Sequence, residues 1–224
     1  MNGVGILERI YTQTYSARWL LKISIKRIFD ILVGLVGMLT LIPFYVIIKV
    51  CSIKDKDYAP IIFKQKRIGK NGEDIYIYKF RSMIPNAEAE LERLMKTDKK
   101  IRDEYLKNKK LKNDPRITRV GHFIRKTSID EFPQFINVFK GEMSFVGPRP
   151  YLPREKEDMK LGYEEIIKVK PGITGPWQVS GRSDVGFNKR VKMDVEYVNN
   201  WGLKSDLKIV FKTFSSVLLK KGAK

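Results

Sequence analysis

The sequence predicts an α+β protein, mainly helical. It combines a re-entrant membrane helix hairpin, interfacial amphipathic helices, a small β-hairpin and a cytosol-facing catalytic domain. Three observations carry this. Residues 31–48 form an 18-residue uncharged run, interrupted by Pro43 and flanked by basic residues on both sides. Two β-like runs, 61–68 and 75–83, are joined by Gly69-Lys70-Asn71-Gly72, which is hairpin turn chemistry. The stretch 128–150 sets two adjacent carboxylates, Asp130 and Glu131, among Arg125, Lys126 and Arg149.

Composition sets the frame. A chain of 224 residues, 43% of them hydrophobic, has room for one domain and an appendage, with enough apolar mass for a core. Lys and Arg total 44 against 25 acids, a net charge of +19. Such an excess suits nucleic acid, an anionic lipid surface or phosphorylated small molecules. No recognised nucleic-acid motif accompanies the charge, so nucleic acid is not an expected partner. One cysteine, Cys51, excludes an internal disulfide and a cysteine-based zinc site, and one histidine, His122, argues against a His-rich metal centre. Both fit a reducing, cytosolic side. His122 reads as a positioned loop or core residue, with a catalytic role as the alternative.

The elements follow in chain order. Residues 1–23 mix apolar and basic groups; Trp19, Leu20 and Ile23 suit the apolar side of an interfacial helix, and a leader is the other reading. Residues 24–52 form the membrane element, and its uncharged run reaches the lower limit of about 17–25 residues for a span. Pro43 inside it removes a backbone donor and clashes with the preceding turn. Lys26 and Arg27 before the run, and Lys49, Lys54 and Lys56 after it, put both ends on the cytoplasmic side by the positive-inside rule. A helix that breaks near Pro43 and returns satisfies both constraints; a kinked span and a core helix are the alternatives. Gly34 and Gly37 allow close helix packing. Residues 53–224 are the catalytic domain.

Within that domain the hairpin comes first. On its second strand Lys79 and Arg81 point the same way, a spacing that holds a phosphate or else a solvated face. Residues 85–113 read as one helical stretch with Asn86 as N-cap, ended by Asp114-Pro115. A further helix runs from Ser128 toward Phe139 and stops at Gly141. Residues 170–182 are turn-rich, and 187–199 and 203–220 are amphipathic helices, the last suited to a core or a membrane surface.

Ser128-Ile129-Asp130-Glu131 matches a capping box, Ser at N-cap and Glu at N3, which by itself accounts for Glu131; Pro133, awkward five residues after that cap, favours a start nearer Asp130, and either register puts both carboxylates at a helix N-terminus. The same placement suits catalysis. Free amides at a helix start favour an ionised carboxylate and attract phosphate. An ionised Asp attacks phosphorus and splits one hard transfer into two easier ones. Mg²⁺ suits such a site, because it takes carboxylates together with phosphate oxygens. Arg125, Arg149 and Arg182 are candidate phosphate clamps, and Arg149 is restricted by Pro148 and Pro150; each alone also reads as a surface ion pair.

These residues resemble a known family, the monotopic phosphoglycosyl transferases, bacterial sugar transferases of the undecaprenyl-phosphate hexose-1-phosphate type. The matching motifs are Lys26-Arg27-Ile28-Phe29-Asp30, Tyr78-Lys79-Phe80-Arg81-Ser82-Met83, Asp114 through Gly121, Ser128 through Gln134, Met143 through Pro150, and Lys170 through Gly181. The resemblance covers roughly residues 24–220. It implies a re-entrant helix and an active site on the cytoplasmic face of the bacterial inner membrane. It implies transfer of a sugar-1-phosphate from a UDP-sugar to undecaprenyl phosphate with release of UMP, the first membrane step of a surface glycan such as a capsule or exopolysaccharide. By the same resemblance Asp130 is the nucleophile and Mg²⁺ ligand, and Glu131 assists as a base. Lys79, Arg125 and Arg149 match basic positions, and Gln134, one turn on, orients the site. The long helix at 86–112 resembles the hexose-transferring branch, galactose or glucose. The family's helix break is often Ser-Pro; here it is Ile42-Pro43. A homo-oligomer is compatible with all of this. The competing class is a membrane-anchored basic binding or scaffold protein without catalysis.

Overall fold

A computed structural model describes residues 3–108, 110–180 and 185–218. It is mainly helical with two small two-stranded sheets. Helix α1 (Gly3–Leu39) runs without interruption from the N-terminal segment into the apolar run. It stops at Thr40, and α2 (Leu41–Lys54) begins at once. The break falls three residues before Pro43, because a proline is tolerated in a first turn, where amides have no intrahelical acceptor anyway. Thr40 bonds back to the Gly37 carbonyl through its amide (3.2 Å) and its hydroxyl (2.7 Å). A hydroxyl therefore does serve this break, three positions before the proline rather than next to it.

Three charged residues of α1 fasten it to the body. Lys26 Nζ donates to Asp206 Oδ2 (2.6 Å) and to the Val146 carbonyl (2.9 Å). Arg27 donates to the carbonyls of Val138 and Phe139 at 2.7 and 2.8 Å. Those carbonyls lie in the last turn of α6 (Gln134–Lys140), where that of Val138 also accepts from the Gly141 amide (3.0 Å). Asp30 accepts from Ser144 Oγ (3.0 Å) and the Phe145 amide (2.8 Å). Beyond these anchors α1 lies very close to α6. A Cβ on Gly34 would stand 3.0 Å from the Phe139 amide nitrogen, and one on Gly37 only 2.2 Å from Cγ of Phe135. Glycine is what permits this approach.

Much of α1 and α2 faces outward. Leu32, Leu35, Val36, Leu39, Ile42 and Val46 are all exposed, Leu39 and Ile42 to 69% and 72%. The inner side of α2 places Ile48 against Ile61, Phe80 and Ile124. Phe44 meets Phe132 edge-on with centroids 5.1 Å apart. Burying a side chain such as Ile48 contributes roughly 1.5–3 kcal/mol.

The hairpin forms as expected. Strands β1 (Ile62–Ile68) and β2 (Asp74–Phe80) pair antiparallel, from Ile62 opposite Phe80 to Ile68 opposite Asp74. β2 ends at Phe80 rather than running to Met83, which instead bridges to Ile117. The stretch read as one helix is two, α3 (Ala87–Thr97) and α4 (Lys99–Asn108). Asp98 separates them in an extended conformation, and its carboxylate caps α4 by accepting from the Lys100 and Ile101 amides. Asn86 does occupy the N-cap position of α3, but with a left-handed backbone and no side-chain cap bond. The start of α3 is held instead by Arg116, which donates to the Ala87 carbonyl while paired with buried Asp114.

Helix α5 (Arg119–Lys126) is capped by the Thr118 hydroxyl. The capping box at Ser128 does not form. Ser128 has φ 59°, and its side chain caps nothing. Residues Ile129–Glu131 make a single 3₁₀ turn, and α6 begins after Pro133. A proline at 133 lacks the amide that a continuous helix from 128 would need. α6 does end at Gly141, in the left-handed conformation (φ 89°).

The turn-rich stretch holds a strand that its composition hides. β3 (Ser144–Val146) and β4 (Gly172–Thr174) pair in parallel, Ser144 opposite Gly172 and Val146 opposite Thr174. A Cβ on Gly172 would meet the Gly147 amide nitrogen at 2.1 Å, so this pairing requires glycine. Short helices α7 (Lys156–Met159) and α8 (Gly162–Ile166) precede β4. The last two helices, α9 (Phe187–Asn199) and α10 (Leu203–Leu218), stand where the amphipathic patterns put them. On α10 Ile209 is buried, while Leu207, Phe211 and Phe214 are exposed.

Candidate active site

The carboxylate pair sits in the turn between α5 and α6, and one side chain fixes that turn against the hairpin. Asn137 of α6 is fully buried and bonds both ways to β2, accepting from the Tyr78 amide (3.1 Å) and donating to the Tyr76 carbonyl (2.8 Å). The next residue of β2 is Lys79, whose Nζ meets Glu131 Oε1 at 2.9 Å. Burial opposes the charge of Glu131. The Lys79 ammonium, with Arg149 and Arg67 adding to it, outweighs this and holds the carboxyl below the usual range. Asp130, half-buried beside it, goes the other way. Burial and then the Glu131 charge push it up to about 6, against the pull of Lys79 and Arg125. The environment therefore separates two adjacent carboxyls.

The other expected residues are distributed as follows. Arg125 donates from Nε to Ser82 Oγ (3.0 Å) and lies within the electrostatic reach of Asp130. Arg81 does not share a task with Lys79. It is spent on the loop before β1, bonding the Pro60 carbonyl (2.7 Å) and Asp57 (2.9 Å). Gln134 is buried one turn from Asp130, and its Nε2 has no partner among the described residues. Arg149 has its amide on Asp194 Oδ2 (3.2 Å) and its guanidinium 3.8 Å from Glu155. Pro43 lies in the first turn of α2. Arg182 is outside the described residues.

Lys79, Arg81, Arg125, Asp130, Glu131, Gln134 and Arg149 line one cleft of about 2240 Å³. Phe29, Leu32 and Val36 of α1 contribute apolar wall to it, and Tyr105 and Arg154 contribute on the side of α4. Three further basic or aromatic residues that sequence reasoning passed over line the same cleft: Arg67, Trp177 and Arg190. Arg190 lies with its guanidinium carbon 4.8 Å from the Trp177 ring centroid, and Arg149 lies 6.0 Å from it. Arg67 donates to the Pro150 carbonyl (2.9 Å), next to Arg149. Burial, with the Arg149 charge adding to it, pushes the Arg67 guanidinium down to about 9. No local spacing could have joined these residues. Trp177 stood in a motif segment, but Arg67 and Arg190 come from a strand and a helix far apart in the chain.

The donor set bears on a metal ion. Among the described residues no three His, Cys, Asp or Glu side chains are grouped to hold one. What the site offers is Asp130, with Glu131 already paired to Lys79. One or two carboxylates suit Mg²⁺, which completes its shell with phosphate oxygens and water; they do not suit a cage-type site. The residues present fit a Mg²⁺ ion that arrives with a phosphorylated substrate.

Paired carboxylates, convergent cations and an apolar wall in one cleft are the parts expected of an enzyme that handles phosphorylated substrates beside a membrane. The sequence matches the bacterial sugar transferase family over residues 21–220, and the chain belongs to that family. It is 47% identical over 199 residues to a UDP-galactose-lipid carrier transferase of Erwinia amylovora, covering 89% of this chain and 41% of that protein. It is 46% identical over 199 residues to an undecaprenyl-phosphate galactose phosphotransferase of Salmonella typhimurium, covering 89% and 41%. An exopolysaccharide production protein, ExoY, of Sinorhizobium fredii is 40% identical over 198 residues, covering 88% and 87%. The chain thus spans about two-fifths of the first two relatives and most of the third.

Proposed function

We propose that the protein transfers a hexose-1-phosphate, galactose or glucose, from a UDP-sugar to undecaprenyl phosphate and releases UMP. The observation that carries this is the turn at Ile129–Glu131, where Asp130 stands beside a Lys79-paired Glu131 in a cleft walled by α1. The names of the relatives supply the substrate class. In the first step an Asp130 carboxylate oxygen bonds to the β-phosphorus of the donor. The bond from that phosphorus to the bridging oxygen breaks, and UMP leaves with the electron pair. In the second step an oxygen of undecaprenyl phosphate attacks the same phosphorus and frees the carboxylate. Lys79, Arg125 and Arg149 offset the charge of the phosphates, Gln134 orients the site, and Glu131 takes the proton of the lipid phosphate. Asp130 is the residue that would hold Mg²⁺, which when bound neutralises phosphate charge.

We place the site on the cytoplasmic face of a bacterial inner membrane, at the start of a surface glycan pathway. The break at Thr40, the exposed apolar faces of α1 and α2, and the basic residues at both ends of the run support a re-entrant entry. The test is UMP release from a panel of UDP-sugars, with purified protein, undecaprenyl phosphate and Mg²⁺, beside Asp130→Asn. Release with a UDP-hexose, lost in the variant, is the expected result. A stoichiometric burst of UMP without lipid acceptor would report the covalent step. Full activity of Asp130→Asn ends the covalent mechanism, and no release from any donor by folded protein favours the binding or scaffold class.

A further inference from the structure

We propose that Arg149 and Arg190, both over the Trp177 ring, and Arg67 beside Arg149 form a cradle for the diphosphate of the nucleotide donor. This rests on the donor being a nucleotide sugar, as proposed above. Three distant elements supply the cations: β1 gives Arg67, the Pro148–Pro150 loop gives Arg149, and the first turn of α9 gives Arg190. Arg67 and Arg190 are 6% and 4% exposed, so neither is a loose surface charge. One indole ring carries two of the guanidiniums, and Arg149 also lies 5.7 Å from the Tyr151 ring.

The charge around them is only partly offset. Among the described residues no carboxylate stands within ion-pair distance of Arg67 or Arg190, and Arg149 has only Glu155 at 3.8 Å. Of the other acids nearby, Asp194 is engaged with the Tyr151 hydroxyl (2.9 Å) and the Arg149 amide, and Glu131 with Lys79. The two arginines are held instead by neutral oxygens, Arg67 by the Pro150 carbonyl and the Gln65 side chain, and Arg190 by the Val185 carbonyl (2.7 Å). An amide oxygen orients a guanidinium but does not neutralise it. Grouping like charges out of water is unfavourable unless an anion joins them. Guanidinium forks match the oxygens of a phosphate, two at a time. All three residues line the cleft that holds Asp130 and Glu131.

A second observation selects the nucleotide over a lipid phosphate. Trp177 Nε1 and Gln178 Oε1, on adjacent cleft-lining residues, are buried and have no partner among the described residues. One is a donor and the other an acceptor. A lipid phosphate offers the glutamine oxygen at most its one acidic hydroxyl, the proton that the proposed reaction gives to Glu131. A nucleotide sugar offers both kinds of group, an imide or hydroxyl N–H or O–H and its neighbouring oxygens.

The experiment measures binding, not turnover. Full-length protein in nanodiscs is titrated with UDP, with inorganic pyrophosphate and with undecaprenyl phosphate, for wild type, Arg190→Gln, Arg190→Lys and Trp177→Phe. Arg190→Gln is expected to weaken UDP and pyrophosphate about tenfold or more. Arg190→Lys should fall between, since charge remains but the fork is lost, and Trp177→Phe should weaken UDP more than pyrophosphate. Undecaprenyl phosphate should bind each variant within about twofold of wild type. Thermal melting screens each variant for folding, and Arg190→Lys and Trp177→Phe carry the test if Arg190→Gln does not fold. Wild-type affinity for UDP in folded Arg190 variants overturns the cradle. A loss confined to undecaprenyl phosphate overturns its assignment to the nucleotide. If wild type releases no UMP from any donor, yet pyrophosphate binding depends on Arg190, the proposed reaction fails and the cradle stands.

Discussion

Asp194 shows how one buried group sets a pH dependence. It is fully buried, accepts from Tyr151 and the Arg149 amide on Oδ2, and has no partner for Oδ1. Burial pushes its carboxyl up to about 7, although Tyr151, Arg149 and Arg190 all favour the ion. In the unfolded chain the same group titrates near 3.9. Between about pH 4 and 7 the folded state therefore holds a proton that the unfolded state has released, and stability falls as pH rises. Asp194→Asn imitates the protonated form and keeps an oxygen for both donors. It should match wild type within about 1 kcal/mol at pH 5, and exceed it by about 1–4 kcal/mol at pH 8. Denaturant unfolding at the two pH values checks this, and an Asn variant less stable than wild type at pH 8 would contradict it. Lys79 makes a different prediction. Lys79→Met leaves Glu131 without its partner and, in the proposed reaction, removes a cation from the phosphate site. UMP-release kinetics should show kcat lower by about 10²-fold. An unchanged kcat would make the pair structural only.

At the scale of elements, the α1–α6 contact couples the long apolar helix to the turn that carries Asp130 and Glu131. Gly37→Ala gains about 1 kcal/mol of helix propensity but drives a methyl into the Phe135 ring, at a cost of about 1–3 kcal/mol. The net expectation is a loss of stability, partly restored by adding Phe135→Leu, which removes the ring. Denaturation of the four proteins of this cycle in detergent micelles tests it, and additivity of the two changes would mean the close approach is not tight. The glycines were legible as packing positions, though the sequence could not name α6 as the partner. Other elements show what a local pattern misses. Ser128 carried every sign of an N-cap, yet Pro133 forbids the helix that Ser128 would start, and Glu131 turns to Lys79 instead. Pro43 signalled an interruption, and one helix gives way to the next at Thr40, three residues earlier, because a first turn tolerates proline. The strand at Gly172–Thr174 was hidden among turn formers, since a three-residue strand between Pro and Gly has no periodicity to read. In the candidate site, the motif residues were legible one by one. Arg67 and Arg190 were not, because only tertiary packing brings a strand and a distant helix to one cleft.

For the whole molecule two forces compete to explain attachment to a membrane, and they differ in salt dependence. The net charge of +19 attracts anionic headgroups. At 1 M salt the Debye length shrinks to about 3 Å, and that attraction largely vanishes. The apolar faces behave otherwise. Leu35, Val36, Leu39, Ile42 and Ile47 on α1 and α2 are exposed together, and α10 turns Phe211 and Phe214 outward at 66% and 61%. Lys26 and Asp206 tie α1 to α10. Transfer of such side chains into hydrocarbon gains roughly 1.5–3 kcal/mol each, a sum that salt strengthens if anything. The protein should therefore stay with sedimented membranes in 1 M NaCl and come off only with detergent. Release by salt alone would assign attachment to the basic surface. The apolar faces of α1 and α2 would then have to be covered by another protein chain, and the re-entrant reading would lose its physical basis.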